Sequence, residues 1–259
     1  MDKVIYEEEI LELALDLGEI MLSCGAEIRR VEDSITRICN AYQLENVKVF
    51  AITSLIIASA KCNDGRVATQ IRRVKIYGTN LSKIEDANAL SRYICKNKIS
   101  TDEIKKELLK IKSPKKQNKH IQWDLCIGYL CAAGGFTVFF GGNGWDAVAS
   151  CIIAFLMFLF DTFIKKPDVN RIVYTVFVSI VMGIIAILFV KIGIGIHVDK
   201  IMIGDIMLLI PALVLVNSLR AIFLGDTIAG MIQLTEATLI ALSIAGGFAI
   251  ALVTLGGIL

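Results

Sequence analysis

The chain has 259 residues, 55% of them hydrophobic, with a mean hydropathy of +0.66 and a net charge of only +2. Its acidic and basic residues interleave along the first half, so the charge gives no footprint for a nucleic-acid partner. Most Lys and Arg precede Trp123, and the remainder of the chain is almost continuous apolar sequence. That split predicts a small soluble α/β domain with a basic linker over 1–120 and a helical membrane domain over 121–259.

The first residues, MDKVIYEEEILELALDLGEIM, are acidic and amphipathic, unlike a signal peptide with its basic start and cleavage site. Over 5–24, Ile10, Leu13, Leu17, Ile20 and Met21 recur at helical spacing. Ser23-Cys24-Gly25 supplies a helix stop, and a second helix is expected over 26–42 with Ile28, Val31, Ile35 and Ile38 as its apolar stripe. Glu27, Arg30, Glu32, Asp33 and Arg37 offer near-neighbour ion pairs on a solvated face. After Gln43 the pattern turns to β-rich runs at 47–53, 54–61 and 66–74, with Asn63-Asp64-Gly65 as a hairpin turn. Helices are expected next at 81–97 and 101–112, the latter opened by Ser100-Thr101-x-Glu103. The order predicts a mainly antiparallel sheet.

This half contains no Gly-rich phosphate loop, metal-ligand spacing or nucleophile motif, so neither an enzyme nor a cofactor or metal site is expected. The seven cysteines include no CxxC pair, which fits reduced thiols rather than zinc or a disulfide framework. Arg72, Arg73 and Lys75 read as a solvated strand face rather than an anion patch. Residues 105–119 form a basic linker, broken at Pro114, that would lie against anionic lipid.

Five apolar segments come after the linker, at about 123–141, 145–164, 172–191, 201–223 and 232–257, each near the length needed to cross a bilayer. The Lys/Arg density of the linker and of the 165–171 loop places both on the cytoplasmic side, with the C terminus outside. Asp161 is expected to pair with Lys165 at the interface, and Asp146 to act as a helix N-terminal acid. The densest anomaly is PALVLVNSLRAIFLGDTIAGMIQLTE at 211–236, where Pro211 breaks a helix and Asn217, Arg220, Asp226, Gln233 and Glu236 interrupt apolar sequence. Asn217 and Arg220 share a face, and Arg220 is placed to meet Asp226 or Glu236 across the hairpin. Asp205, a turn inside the fourth segment, joins them as a candidate on a substrate or ion pathway.

Three stretches together, GAEIRRVEDSITRI at 25–38, FFGGNGWD at 139–146 and PALVLVNSLRAIFLGDTIAGMIQLTEA at 211–237, resemble the threonine/serine exporter family, and specifically the larger subunit of its split, two-component form. The resemblance covers essentially the whole chain. It implies proton-driven export of threonine- or serine-type amino acids or a dicarboxylate such as succinate, in a bacterial cytoplasmic membrane. It also implies a smaller multi-span membrane subunit as partner in a hetero-oligomer. Family positions carried here are Gly25, Arg30, Val31 and Glu32, with Glu27 in the same motif, and Pro211, Asn217, Arg220, Gly225, Asp226 and Gly230. Two depart from the pattern: Ala212 stands where Gly is common, and Ala221 where an acid commonly comes after the arginine. The competing reading is a membrane-anchored sensor or partner-binding protein without transport.

Overall fold

The computed structural model describes residues 2–74, 78–113, 119–164, 170–255 and 257, with backbone alone for 2–5, 119–122 and 164. Lys75, Pro114 and Lys165 lie outside those residues. The chain divides into two compact units. The first comprises 1–116 together with 214–234, and the second 117–213 together with 235–259. The returning piece, 214–234, comes from sequence that hydropathy assigns to membrane segments.

In the first unit, helix α1 (Asp2–Ser23) is the central element. The expected stripe of Ile10, Leu13, Leu17, Ile20 and Met21 is buried, and so are Leu11, Leu15 and Leu22 on its other side. An amphipathic pattern alone describes one covered face; here helices and sheet cover more than that. α1 ends in a Schellman turn, with Ala26 N–H donating to Met21 O at 3.0 Å and Gly25 N–H to Leu22 O at 3.0 Å. Gly25 holds φ +86, which a residue without a Cβ adopts at little cost.

Helix α2 (Ile28–Ala41) buries Ile28, Val31, Ile35 and Ile38. Strands β1 (Glu45–Ile52), β2 (Leu55–Lys61) and β3 (Val67–Arg73) pair antiparallel in chain order. Ile56, Ala58 and Ala60 alternate into the core from the central strand. The turn after β2 is tied to α1, because Asn63 donates to the buried Glu7 carboxylate from its backbone N–H at 3.1 Å and from Nδ2 at 2.5 Å. Arg72 is not merely solvated: it bonds Asp16 at 3.1 Å and Glu12 at 3.0 Å, clasping β3 to α1. Helices α3 (Leu81–Asn97) and α4 (Thr101–Lys112) start at side-chain caps, Asn80 accepting from Lys83 N–H at 3.0 Å and Ser100 from Glu103 N–H at 3.4 Å.

The second unit is helical. Helices α5 (Lys119–Phe139) and α6 (Gly144–Leu159) form a hairpin, and a π-helical turn over 160–164 extends α6. Asn143 and Asp146 make a reciprocal capping box at the start of α6, as expected for an N-terminal acid. Then come α7 (Arg171–Lys191), α8 (Val198–Leu209), α9 (Ala212–Phe223) and α10 (Thr227–Leu255). Ile153, Met157, Val178, Met182, Ile201, Ile244 and Phe248 are buried in this unit's core.

Among the described residues three helices are long and apolar enough to cross a membrane: Gly144–Phe163, Arg171–Lys191 and Thr227–Leu255. α8 and α9 qualify only together, as one broken span or a re-entrant loop. Proline supplies no N–H at 211, and Ile210 turns out of helical geometry at φ −57, ψ 128. The apolar part of α5, Trp123–Phe139, is shorter; at 1.5 Å per residue it reaches about 25 Å of a hydrocarbon layer about 30 Å thick. Three to four of the five expected segments therefore meet the standard.

Candidate functional site

Within the first unit, the N-terminal end of α2 meets the corner between α9 and α10. α9 ends, like α1, in a Schellman turn: Asp226 N–H donates to Ala221 O at 2.9 Å and Gly225 N–H to Ile222 O at 3.1 Å, with Gly225 at φ +93. The two helices flanking this corner lie close because Gly230 has no side chain; a Cβ there would stand 2.8 Å from Ser218 O and 2.6 Å from Ile222 Cγ1. Ala229 joins the same core as α1 and α2.

This packing brings charges far apart in the chain into alternating pairs. Arg220 Nη1 donates to Glu27 Oε2 at 3.1 Å, and Arg29 Nε lies 3.6 Å from Asp226 Oδ2. The expected partner of Arg220, Asp226 or Glu236, is thus replaced by Glu27. Asp226 is turned to Arg29, and Glu236 belongs to the second unit. Both arginines are more than half exposed, at 57% and 54% of the side chain, while Glu27 is 21% exposed. Such pairs contribute little to stability, typically under about 1 kcal/mol.

Glu32 is not on a solvated face either. It is partly buried and accepts the Ala51 N–H at 2.7 Å. Burial raises its pKa above the ordinary 4.5; the Ala51 bond opposes this, the Asp226 charge adds to it, and Arg29 opposes it weakly. Glu27, Arg29, Asn217, Asp226 and Gln233 line a cavity of about 10 Å³, room for roughly one water. Gln233 is 7% exposed, and its Oε1 has no hydrogen-bond partner in the structure. The site as it stands is closed around its own side chains. Of the other candidates in this unit, Arg30 is exposed and Gly25 serves the turn.

The remaining candidates lie in the second unit. Pro211 is buried at the break between α8 and α9, and Glu236 is partly buried on α10. Asp205 is 1% exposed, and Ser150 Oγ donates to its Oδ1 at 2.8 Å. Asp161 accepts from Tyr129 at 2.6 Å and Tyr174 at 2.5 Å. Among the described residues no group of three or more His, Cys, Asp and Glu is arranged to hold a metal.

Arg29 and Ser150 do not stand out in the sequence as Arg220 and Asp205 do. Arg29 sits one turn before Glu32, and Ser150 one turn after Asp146, so a same-face spacing of three or four could have flagged each.

Comparison with known proteins gives the family of the chain. The family model described as "Putative threonine/serine exporter" matches residues 12–255. A Mycobacterium tuberculosis protein named "Probable threonine/serine exporter" is 21% identical over 249 residues, covering 96% of this chain and 46% of that protein. The chain therefore spans about half the length of that curated relative. No solved structure matches.

Proposed function

The chain belongs to the threonine/serine exporter family, and from that premise we propose that it is one subunit of a proton-coupled secondary exporter of small polar metabolites. Threonine- and serine-type amino acids are the first substrates to consider, and a dicarboxylate such as succinate the next. The first unit faces the cytoplasm, the C terminus faces outward, and a smaller multi-span subunit in the same bacterial cytoplasmic membrane completes the pathway.

The observation that carries this reading is the Glu27–Arg220 pair beside Asn217, Gln233 and the Arg29–Asp226 pair. A guanidinium is suited to a substrate carboxylate, which it binds through two parallel N–H groups. Glu27 holds Arg220 in the meantime, as an internal carboxylate that a substrate carboxylate displaces. Asn217 and Gln233 offer hydrogen bonds to the remaining polar groups of the solute. Exchange of one carboxylate for another leaves the arginine paired throughout, which keeps the cost of loading small.

The test is efflux of preloaded labelled threonine, serine and succinate from cells or vesicles, with this chain alone and with its smaller membrane neighbour. Flux only when both are present, and lost in Arg220→Ala, supports the reading. Unchanged efflux in Arg220→Ala removes Arg220 from the pathway. A non-transporting sensor has one observation in its favour, a groove of about 580 Å³ lined by Asp86, Tyr93, Glu103, Glu107 and Lys110. It predicts solute binding by the whole chain and no flux under any gradient.

A further inference from the structure

The second unit fully buries two aspartates, and they differ in one respect. Asp146 is saturated: its oxygens accept the backbone N–H groups of Asn143 at 2.9 Å, Ile196 at 2.7 Å and His197 at 2.9 Å, with His197 Nδ1 at 2.8 Å. Asp205 receives the Ser150 hydroxyl on Oδ1, while its Oδ2 has no hydrogen-bond partner in the structure. It is the only ionisable side chain, among the described residues, buried with an oxygen so placed. A carboxylate in that position has one neutral donor and lacks the further donors and cations that would offset its desolvation.

The surroundings are polar but uncharged. α8 comes against α5 because residue 204 is glycine: a Cβ there would stand 2.0 Å from Thr137 Oγ1, 2.7 Å from Ala133 O and 3.1 Å from Ser150 Oγ. Two hydroxyls and a carbonyl, from α5 and α6, therefore crowd the turn of α8 next to Asp205. The Cys151 thiol of α6 lies within electrostatic reach of Asp205. Among the described side chains α5 and α6 carry no Lys or Arg, and the two cations of α7, Arg171 and Lys191, are its first and last residues. On α8 itself Lys200 pairs with Asp199 at 3.1 Å. Tyr129 of α5 and Tyr174 of α7 donate to Asp161. Asp124, Cys126 and Cys131 complete the titratable groups of the described side chains of α5.

We propose that Asp205 is the residue that carries the coupling proton, with Ser150 orienting its carboxyl group. This rests on the exporter reading. A proton taken up from water adds to the carboxylate at Oδ2 and removes its charge; release to water on the opposite side restores it. No other bond changes, and nothing is oxidised or reduced. The hydroxyl-to-carboxylate distance of 2.8 Å is that of a hydrogen bond. A single proton thus needs fewer partners here than a metal cation, which would call for several oxygen ligands at once.

Infrared spectroscopy of the whole chain in lipid vesicles tests the binding step without requiring transport. A neutral-carboxyl band present near neutral pH should vanish in Asp205→Asn and persist in Asp124→Asn, whose parent side chain is exposed. An Asp205→Asn spectrum identical to the parent overturns the proposal. In vesicles holding both subunits, threonine export driven by a pH gradient should fall to the level of empty vesicles in Asp205→Asn and be partly rescued in Asp205→Glu. Retained gradient-driven export, or export that needs sodium and ignores pH, overturns it. If the unsubstituted pair moves none of the labelled solutes, the exporter reading fails and the infrared result still decides whether Asp205 holds a proton. Should Asp205→Asn fail to reach the membrane, Ser150→Ala should move the pH at which the carboxyl band disappears. No movement again overturns the proposal.

Discussion

The charged cluster of the first unit and the buried acid of the second represent opposite solutions to holding polar groups. Glu27 with Arg220, and Arg29 with Asp226, are paired, partly solvated and replaceable. Asp205 is enclosed, has one neutral donor, and faces no cation from the packed helices among the described residues. Partly exposed pairs can exchange partners at low cost, because water covers each charge during the exchange. A sequestered acid has no such freedom, and its cheapest response is to change protonation. On that contrast, solute recognition suits the first site and proton binding the second.

The largest expected effect comes from Arg220→Ala, which should abolish solute efflux while changing the stability of the detergent-solubilised chain by less than about 1 kcal/mol. A large loss of stability with the efflux intact would reverse the roles assigned to the two regions. Next, Gly204→Ala should destabilise the second unit by about 1–3 kcal/mol, since the added methyl meets the Thr137 hydroxyl and the Ala133 carbonyl. A reduced thermal midpoint in detergent is the readout, and no change would mean that α8 and α5 part without cost. Gly225→Ala should cost about 1–2 kcal/mol, because φ +93 is left-handed backbone. The same measurement checks it.

The smallest effect concerns Glu32. Burial raises its folded pKa, so the folded state holds more protons than the unfolded one once pH passes the ordinary value of 4.5. Stability contributed by this residue is therefore lost as pH rises from that value through the raised one. Glu32→Gln should flatten that part of the stability–pH curve, and Asp226→Asn should shift it to lower pH by removing a like charge. Superimposable curves for parent and Glu32→Gln would show that Glu32 is as solvated as the sequence suggests.

Much of the local structure was legible in the sequence because it depends on residues close together. The stop at Gly25, the turn at Asn63-Asp64-Gly65, the cap at Ser100 and the acid at Asp146 each depend on a few neighbours. The break at Pro211 was legible too, but not whether the flanking helices count as one span. Hydropathy records how apolar 214–234 is and not what covers it, so the stretch reads as membrane sequence although Ala229 packs with α1 and α2. Arg220 and Glu27 are 193 residues apart, and no periodicity links them. For Asp205 the anomaly was visible, while its sole donor, Ser150, depends on how α6 packs against α8.

The return of 214–234 to the first unit has a consequence for biosynthesis. A chain emerging from the ribosome completes α1 to α4 early, yet the partners of Glu27 and Arg29 and the core residue Ala229 are synthesised about a hundred residues later. Domains generally fold as units once their sequence is available, and contacts across long separations form slowly. The first unit must therefore wait, with the α2 end uncovered, while the α5 to α8 stretch is made. Its final assembly reports that the intervening helices have been delivered, so a chain stalled or cut before residue 234 leaves that surface open to quality-control proteases.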